Sequence, residues 1–267
     1  MIIPESFINS VVCIGDIKNG IFSPIGTGFI VGRRASEGEN NFFPYLVTNK
    51  HVLCYFLSSC NSEMAIRLYE KETHQVKLYK VDKDKFSISD NSNIDIAVAQ
   101  LDGEFLSNQV ERIGLIDLDR NIFTSTEFID NGGGCGTLIY MLGFPMKLIE
   151  DNSCTPLCRI GCVSRIDTEE IQNSKRILLD IQNFPGNSGS PIFCRAELAS
   201  VDGTKPVQKT ALIGIVNSYI PYSENLINAQ TNQVVEVRTE NSGIAIANPA
   251  EYIKDLIEQD LKSKNLN

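Results

Sequence analysis

The chain has 267 residues, 42% hydrophobic and 21% charged, with 24 Lys and Arg against 33 Asp and Glu for a formal net charge of −9 at pH 7. That balance argues against a phosphate-backbone partner, which needs clustered basic side chains, so no nucleic acid is expected and the acidity reads as solubility. No stretch approaches the ~18 apolar residues of a membrane span. The opening Met1-Ile2-Ile3-Pro4-Glu5-Ser6 lacks a basic region, an apolar run and a small-residue cleavage site. No membrane contact and a cytoplasmic location are therefore expected.

Short apolar runs broken by Gly, Pro, Asn and Asp predict strands over 10–17, 28–32, 45–48, 65–69, 75–81, 96–101, 136–143, 161–166, 176–180, 192–194, 211–218, 234–238 and 243–247. No long amphipathic helix interrupts them, as expected of an all-β barrel or sandwich. The C-terminus changes period. Asn248-Pro249-Ala250-Glu251 reads as an N-cap, an N1 proline and the acid of a capping box. Ile253, Leu256, Ile257 and Leu261 then share one helical face.

The eight cysteines are Cys13, Cys54, Cys60, Cys135, Cys154, Cys158, Cys162 and Cys194. An even count invites disulfides, but in a large chain without a visible signal segment reduced thiols are expected. The spacing Cys154-x3-Cys158-x3-Cys162 is allowed for zinc. Cys162 opens a strand-like run, however, and a fourth ligand is not evident, so buried thiols are preferred and no metal is expected.

Chemistry concentrates in three places. Gly186-Asn187-Ser188-Gly189-Ser190-Pro191 puts a serine between two glycines, a poor element interior but a turn able to present a hydroxyl and N–H groups to a carbonyl. Leu46-Val47-Thr48-Asn49-Lys50-His51 places a histidine at the end of an apolar strand. Asp95 opens the strand-like Ile96-Ala97-Val98. His51 and His74 are the only histidines, and His74 lies at a predicted hairpin tip without an assigned role. Asp90 and Asp102 compete with Asp95, but both read as turn residues.

These segments, with Gly26-Thr27-Gly28-Phe29-Ile30-Val31, Leu142-Gly143-Phe144-Pro145 and Leu212-Ile213-Gly214-Ile215-Val216, occur in an order that resembles a trypsin-like serine peptidase of the chymotrypsin superfamily. The resemblance runs from about residue 10 to 255 and lies on the HtrA side, without a PDZ domain. Ser190 departs from the glycine usual there. The resemblance implies two six-stranded antiparallel β-barrels with a C-terminal α-helix. Residues 1–111 would form the barrel carrying His51 and Asp95, 112–247 the barrel carrying Ser188, and 248–267 the helix. It implies a Ser188-His51-Asp95 triad and an oxyanion hole at Gly186, Asn187 and Ser188. It also implies a specificity pocket near Gln182, Asn183, Phe184, Asn217, Ser218, Tyr219 and Gly243. None of these is charged, so a small or medium apolar P1 residue is expected.

No cofactor is implied. Digestive relatives have an aspartate where Asn187 stands, and a neutral residue needs no N-terminal ammonium, so activation without zymogen cleavage is expected. The expected partners are a protein or peptide substrate and a regulatory protein. Three readings stay open at this point: an active endopeptidase, an effector peptidase switched on by a partner, and a protease-like binding module with little turnover.

Overall fold

Val, Ile and Phe alternate through the first third of the chain and build a sheet buried on both faces. In the computed structural model, which describes residues 3–35 and 41–264, this half runs in a fixed order. It comprises α1 (Glu5–Ile8), β1 (Val11–Lys18), β2 (Ile21–Arg34), β3 (Phe42–Thr48), α2 (Lys50–Leu57), β4 (Glu63–Tyr69) and β5 (Val76–Lys80). It continues with β6 (Ser87–Ile88), β7 (Ala97–Gln100), α3 (Gly103–Gln109) and β8 (Ile116–Asp117). The sheet order is β5-β4-β1-β2-β3-β7-β6, and β8 pairs parallel with β2. Along β3, Tyr45 and Val47 point into one core cluster and Leu46 into another, the period-2 alternation of a strand.

The second half holds α4 (Ser125–Asp130), β9 (Leu138–Gly143), β10 (Leu157–Arg165), α5 (Thr168–Ser174), β11 (Ile177–Asp180) and β12 (Pro191–Cys194). It ends with β13 (Leu212–Ile227), β14 (Val234–Pro249) and α6 (Glu251–Ser263). Its six strands close into a barrel in the order β10-β11-β14-β13-β12-β9. Ile139, Met141, Val163, Leu179, Ile192, Val216 and Ala245 fill it.

One closed barrel is present, where two were expected. The first unit is an eight-stranded sheet, and among the described residues no ladder joins its ends. The reason is local. β6 has two residues, both paired with β7, and the 3-10 turn Lys83–Lys85 separates it from β5.

Two further expectations are corrected. The segment 221–242, where one short strand over 234–238 is predicted, is the outer part of a two-stranded ribbon. Its register runs unbroken in direction from Pro221↔Asn241 to Ile227↔Val234, with bulges absorbing the irregularities. The β-branched Val234, Val235 and Val237 favour this, although all three are exposed. At the C-terminus, α6 starts at Glu251 with Ala250 as N-cap and no side-chain cap. Asn248 is still in β14, and Glu251 accepts from Ser125 N–H (2.8 Å) and Oγ instead of closing a capping box.

The apolar face of α6 is as predicted: Ile253, Leu256, Ile257 and Leu261 are buried in a cluster shared with Phe29, Tyr45 and Val47 of the sheet and Phe193, Leu212 and Ile215 of the barrel. Helix, sheet and barrel therefore have a common core. Asp260 fixes the helix, accepting from Tyr45 Oη (2.8 Å), Ser87 Oγ (2.5 Å) and Lys264 Nζ (2.6 Å). Burial alone would raise its pKa; these three partners outweigh that and hold the carboxyl below its usual range.

Candidate active site

His51 is the second residue of α2, not the last of a strand: β3 ends at Thr48, and Asn49 is the helix N-cap. Val52, Leu53 and Phe56 bury the helix on the sheet and leave His51 on its outer side, with the side chain 49% exposed. A helix leaves its first N–H groups without intrahelical partners. The Asp95 carboxylate takes one of them, accepting from His51 N–H through Oδ1 at 2.9 Å. Its other oxygen, Oδ2, lies 2.6 Å from His51 Nδ1. With Nδ1 as the donor in the neutral ring, Nε2 is left as the acceptor.

Asp95 lies in the loop before β7 and is held at both ends of its own backbone. Asn49 Nδ2 donates to its C=O at 2.8 Å, and Asn248 Oδ1 accepts from its N–H at 3.0 Å. Asp102 is not a competitor: it caps α3, accepting from Phe105 N–H at 3.0 Å. His74 pairs with Glu111 (3.0 Å) on the β4–β5 hairpin.

Ser188 sits on a turn built by glycines with positive φ, Gly186 at 99° and Gly189 at 87°. A side chain at Gly189 would also run into Thr27 O and Thr48 Oγ1, so glycine is required twice over. Ser188 O accepts from Thr27 N–H at 2.8 Å. A Cβ on Gly26 would lie 3.0 Å from Val52 Cγ2 and 3.2 Å from Ser188 O. Gly26 thus lies between the turn and the helix residue that follows His51. Hydrogen bonds from Gly189 N–H to Val216 O (3.1 Å) and from Val216 N–H to Ser190 O (3.0 Å) tie it to β13.

Of the predicted oxyanion residues, Asn187 donates its N–H to Phe184 O at 3.0 Å. The described hydrogen bonds engage neither the Gly186 nor the Ser188 N–H. The Asn187 side chain is buried, and neither of its amide atoms, nor Ser190 Oγ, has a hydrogen-bond partner among the described residues. Both side chains face Gly143, where a Cβ would lie 2.9 Å from Asn187 Oδ1 and would overlap Ser190 Oγ.

The predicted pocket residues come together in part. Gln182 Nε2 lies 3.4 Å from the position of a Cβ on Gly243, so those two walls meet. Asn183 is buried, with its C=O accepting from Asn241 Nδ2 at 2.6 Å and its Oδ1 unpartnered. Asn217 donates to Asn248 Oδ1 at 3.0 Å, and Ser218 Oγ donates to Asn217 Oδ1 at 3.0 Å. Tyr219 is exposed. The Arg159 guanidinium stacks 5.1 Å from the Phe184 ring centroid.

Sequence reasoning passed over Thr27, Asn49 and Asn248. Thr27 was inside a recognised motif, and Asn49 stands two residues before His51, so both were visible as positions if not as roles. Among the described residues no cluster of His, Cys, Asp and Glu could hold a metal ion. No helix there is long and apolar enough to cross a membrane. Cys154 lies in the loop before β10, Cys158 and Cys162 lie within β10, and all eight cysteines are free thiols.

A six-stranded β-barrel carries the serine turn, and the helix and loop that hold the histidine–aspartate pair belong to the half built on the second β-sheet. Residues 26–198 match the family model of the trypsin-like peptidase domain, and the chain belongs to that family. Over 132 residues, 47% of its length, the chain is also 23% identical to berberine bridge enzyme-like 10 of Arabidopsis thaliana. It spans about a quarter of that relative's length, the match covering 24% of it.

Proposed function

We propose that the chain is a serine endopeptidase with Ser188 as nucleophile, His51 as general base and Asp95 as the group that orients the base. The observation that carries this is the 2.6 Å contact between His51 Nδ1 and Asp95 Oδ2, on a helix that faces the Ser188 turn across Gly26. Serine is a weak nucleophile until a base takes its proton. His51 Nε2 accepts the Ser188 Oγ proton as Oγ attacks the peptide carbonyl carbon. The carbonyl electron pair moves onto oxygen and is held by the Gly186 and Ser188 N–H groups, each such donor being worth ~2.7–4 kcal/mol. His51 returns the proton to the departing amine nitrogen, leaving an ester on Ser188. Water then repeats the attack, its proton passing through His51 back to Ser188 Oγ.

The substrate is a protein or peptide. The uncharged lining at Gln182, Asn183, Asn217, Ser218 and Gly243, together with the Arg159 charge against Phe184, disfavours a basic P1 side chain. A small or medium apolar P1 residue meets neither penalty. The neutral Asn187 supports activity without N-terminal cleavage.

A second reading is a latent peptidase switched on by a partner. One observation favours it: Asn187 and Ser190 leave buried polar atoms unpaired beneath the nucleophile turn, so that conformation carries a cost.

The experiment is labelling with a fluorophosphonate probe beside hydrolysis of a denatured protein substrate, for wild type and Ser188→Ala. Ser188-dependent labelling and cleavage are expected, with a loss of about 10⁴–10⁶ in turnover on substitution. Labelling without cleavage would count against the latent form, because only a base-activated serine reacts quickly, and against the protein substrate. Neither labelling nor cleavage would reject a peptidase active at rest.

A further inference from the structure

Asn248 has no solvent exposure, and all the hydrogen-bonding capacity of its carboxamide is used. Oδ1 accepts from Asp95 N–H and from Asn217 Nδ2, both at 3.0 Å. Nδ2 donates to Asn93 O at 2.9 Å and to Lys175 O at 2.6 Å. Two donors and two acceptor sites are all that such a group offers. The four partners come from three places: the loop that carries Asp95, strand β13, and the residue that ends α5. Lys175 stands there in the left-handed region (φ 59°), with its carbonyl turned to Asn248.

The two asparagines that hold the Asp95 backbone differ in what they connect. Asn49 stands at the N-cap position of the helix of His51. Asn248 belongs to β14 of the barrel that carries Ser188. We propose that Asn248 is the positioning residue that sets Asp95 against His51 from the barrel side, by holding the Asp95 N–H and the Asn93 C=O in one rigid junction with Asn217. This deepens the triad reading and rests on it.

The physical argument is one of freedom removed. With Asn49 holding its C=O and Asn248 its N–H, Asp95 keeps only its side-chain torsions, and His51 N–H and Nδ1 fix those. Without Asn248, the Asp95 N–H and the Asn93 and Lys175 carbonyls lose partners in a part-buried place, and the loop shifts to satisfy them. A displacement of about 1 Å in a catalytic array costs on the order of 10²-fold in rate. None of the described hydrogen bonds of Asn248 goes to Ser188 or His51, so its effect on chemistry is expected to pass through Asp95.

That route can be tested with a double-mutant cycle read by the rate of fluorophosphonate labelling. Asn248→Ala is expected to slow labelling about 10–100-fold in the wild-type background. In an Asp95→Asn background, the same change should cost less than about 3-fold, because residues acting as a unit are non-additive. Equal losses in both backgrounds, or no loss in either, would overturn the proposal.

A second measurement does not depend on activity. The chain has two histidines, so the His51 Nδ1–H proton can be followed by NMR in ¹⁵N-histidine-labelled protein. Asn248→Ala should move it upfield or broaden it, while the His74 signals stay in place. An unchanged His51 signal would overturn the proposal even if wild type failed to label, an outcome that would count separately against the peptidase reading. If Asn248→Ala does not fold, Asn248→Ser takes its place, and failure of both to fold would make Asn248 a folding residue and overturn the positioning role.

Discussion

The Thr27 hydroxyl joins the Ser188 turn to the end of β9, donating to Gly186 O at 2.7 Å while accepting from Phe144 N–H at 3.0 Å. The same residue donates its N–H to Ser188 O, and its C=O accepts from Thr48 Oγ1 at 2.8 Å, three residues before His51. Thr27 is fully buried, so each of these bonds is costly to leave unmade. Thr27→Val keeps the shape and removes the hydroxyl. It should lower stability by about 1–3 kcal/mol, because Gly186 O and Phe144 N–H lose a buried partner. Thr27→Ser should restore most of the loss. Thermal denaturation of the two variants checks this, and labelling of Ser188 should fall in Thr27→Val more than its stability loss alone explains.

Among the carboxylates, Asp95→Asn should cost about 10⁴ in turnover, because the amide favours the wrong His51 tautomer. Asp102→Asn should change neither rate nor stability, since asparagine is as good an N-cap as aspartate for α3. Asp102→Ala should cost about 1 kcal/mol of stability and leave the rate alone. Steady-state rates and melting curves on the same samples separate the two roles.

The pairing of Asp260 gives stability a defined pH dependence. Its folded pKa is lowered, so its contribution is complete above the unfolded carboxylate value of ~3.9 and is lost as pH falls through the lower folded value. Asp260→Asn should therefore melt earlier than wild type at pH 7, by about 1–3 kcal/mol in stability. The gap between the two should close as the pH is taken below about 4. A gap independent of pH would mean that shape, not charge, holds α6 in place.

The thiols should divide by burial. Burial pushes the Cys13 thiol up to about 12 and the Cys194 thiol up to about 11, so both stay protonated at pH 8. Cys54, Cys60, Cys135 and Cys158 are exposed. Brief alkylation of folded protein at pH 8 should modify the exposed group and spare Cys13 and Cys194, which should react after unfolding. Peptide mapping by mass spectrometry reads the order directly.

What was legible in the sequence follows how local the signal is. The runs 45–48 and 192–194 are dense in apolar residues with turn residues around them, and both are strands. The glycines around Ser188 announce a turn because no other residue tolerates those backbone angles. The helix of His51 was missed because Val47 to Phe56 is apolar enough for either element, and only packing of Val52, Leu53 and Phe56 on the sheet decides. Asn248 reads locally as a helix cap, with Pro249 and Glu251 in the right places. Its carboxamide instead serves Asp95, 153 residues earlier, a partner that no sequence window contains. The open first sheet was likewise hidden, since a two-residue strand leaves almost no pattern.

Several bonds that tie the site and the last helix together span great lengths of chain: 159 residues between Thr27 and Gly186, 153 between Asp95 and Asn248, and 215 between Tyr45 and Asp260. Loop closure over such distances must be made before its contacts stabilise anything, so folding of this kind is slow. Residues up to Asp95 are therefore made long before the Gly186–Gly189 turn and Asn248 that they meet. On the reading proposed above, the peptidase array is complete only once residue 248 has been made.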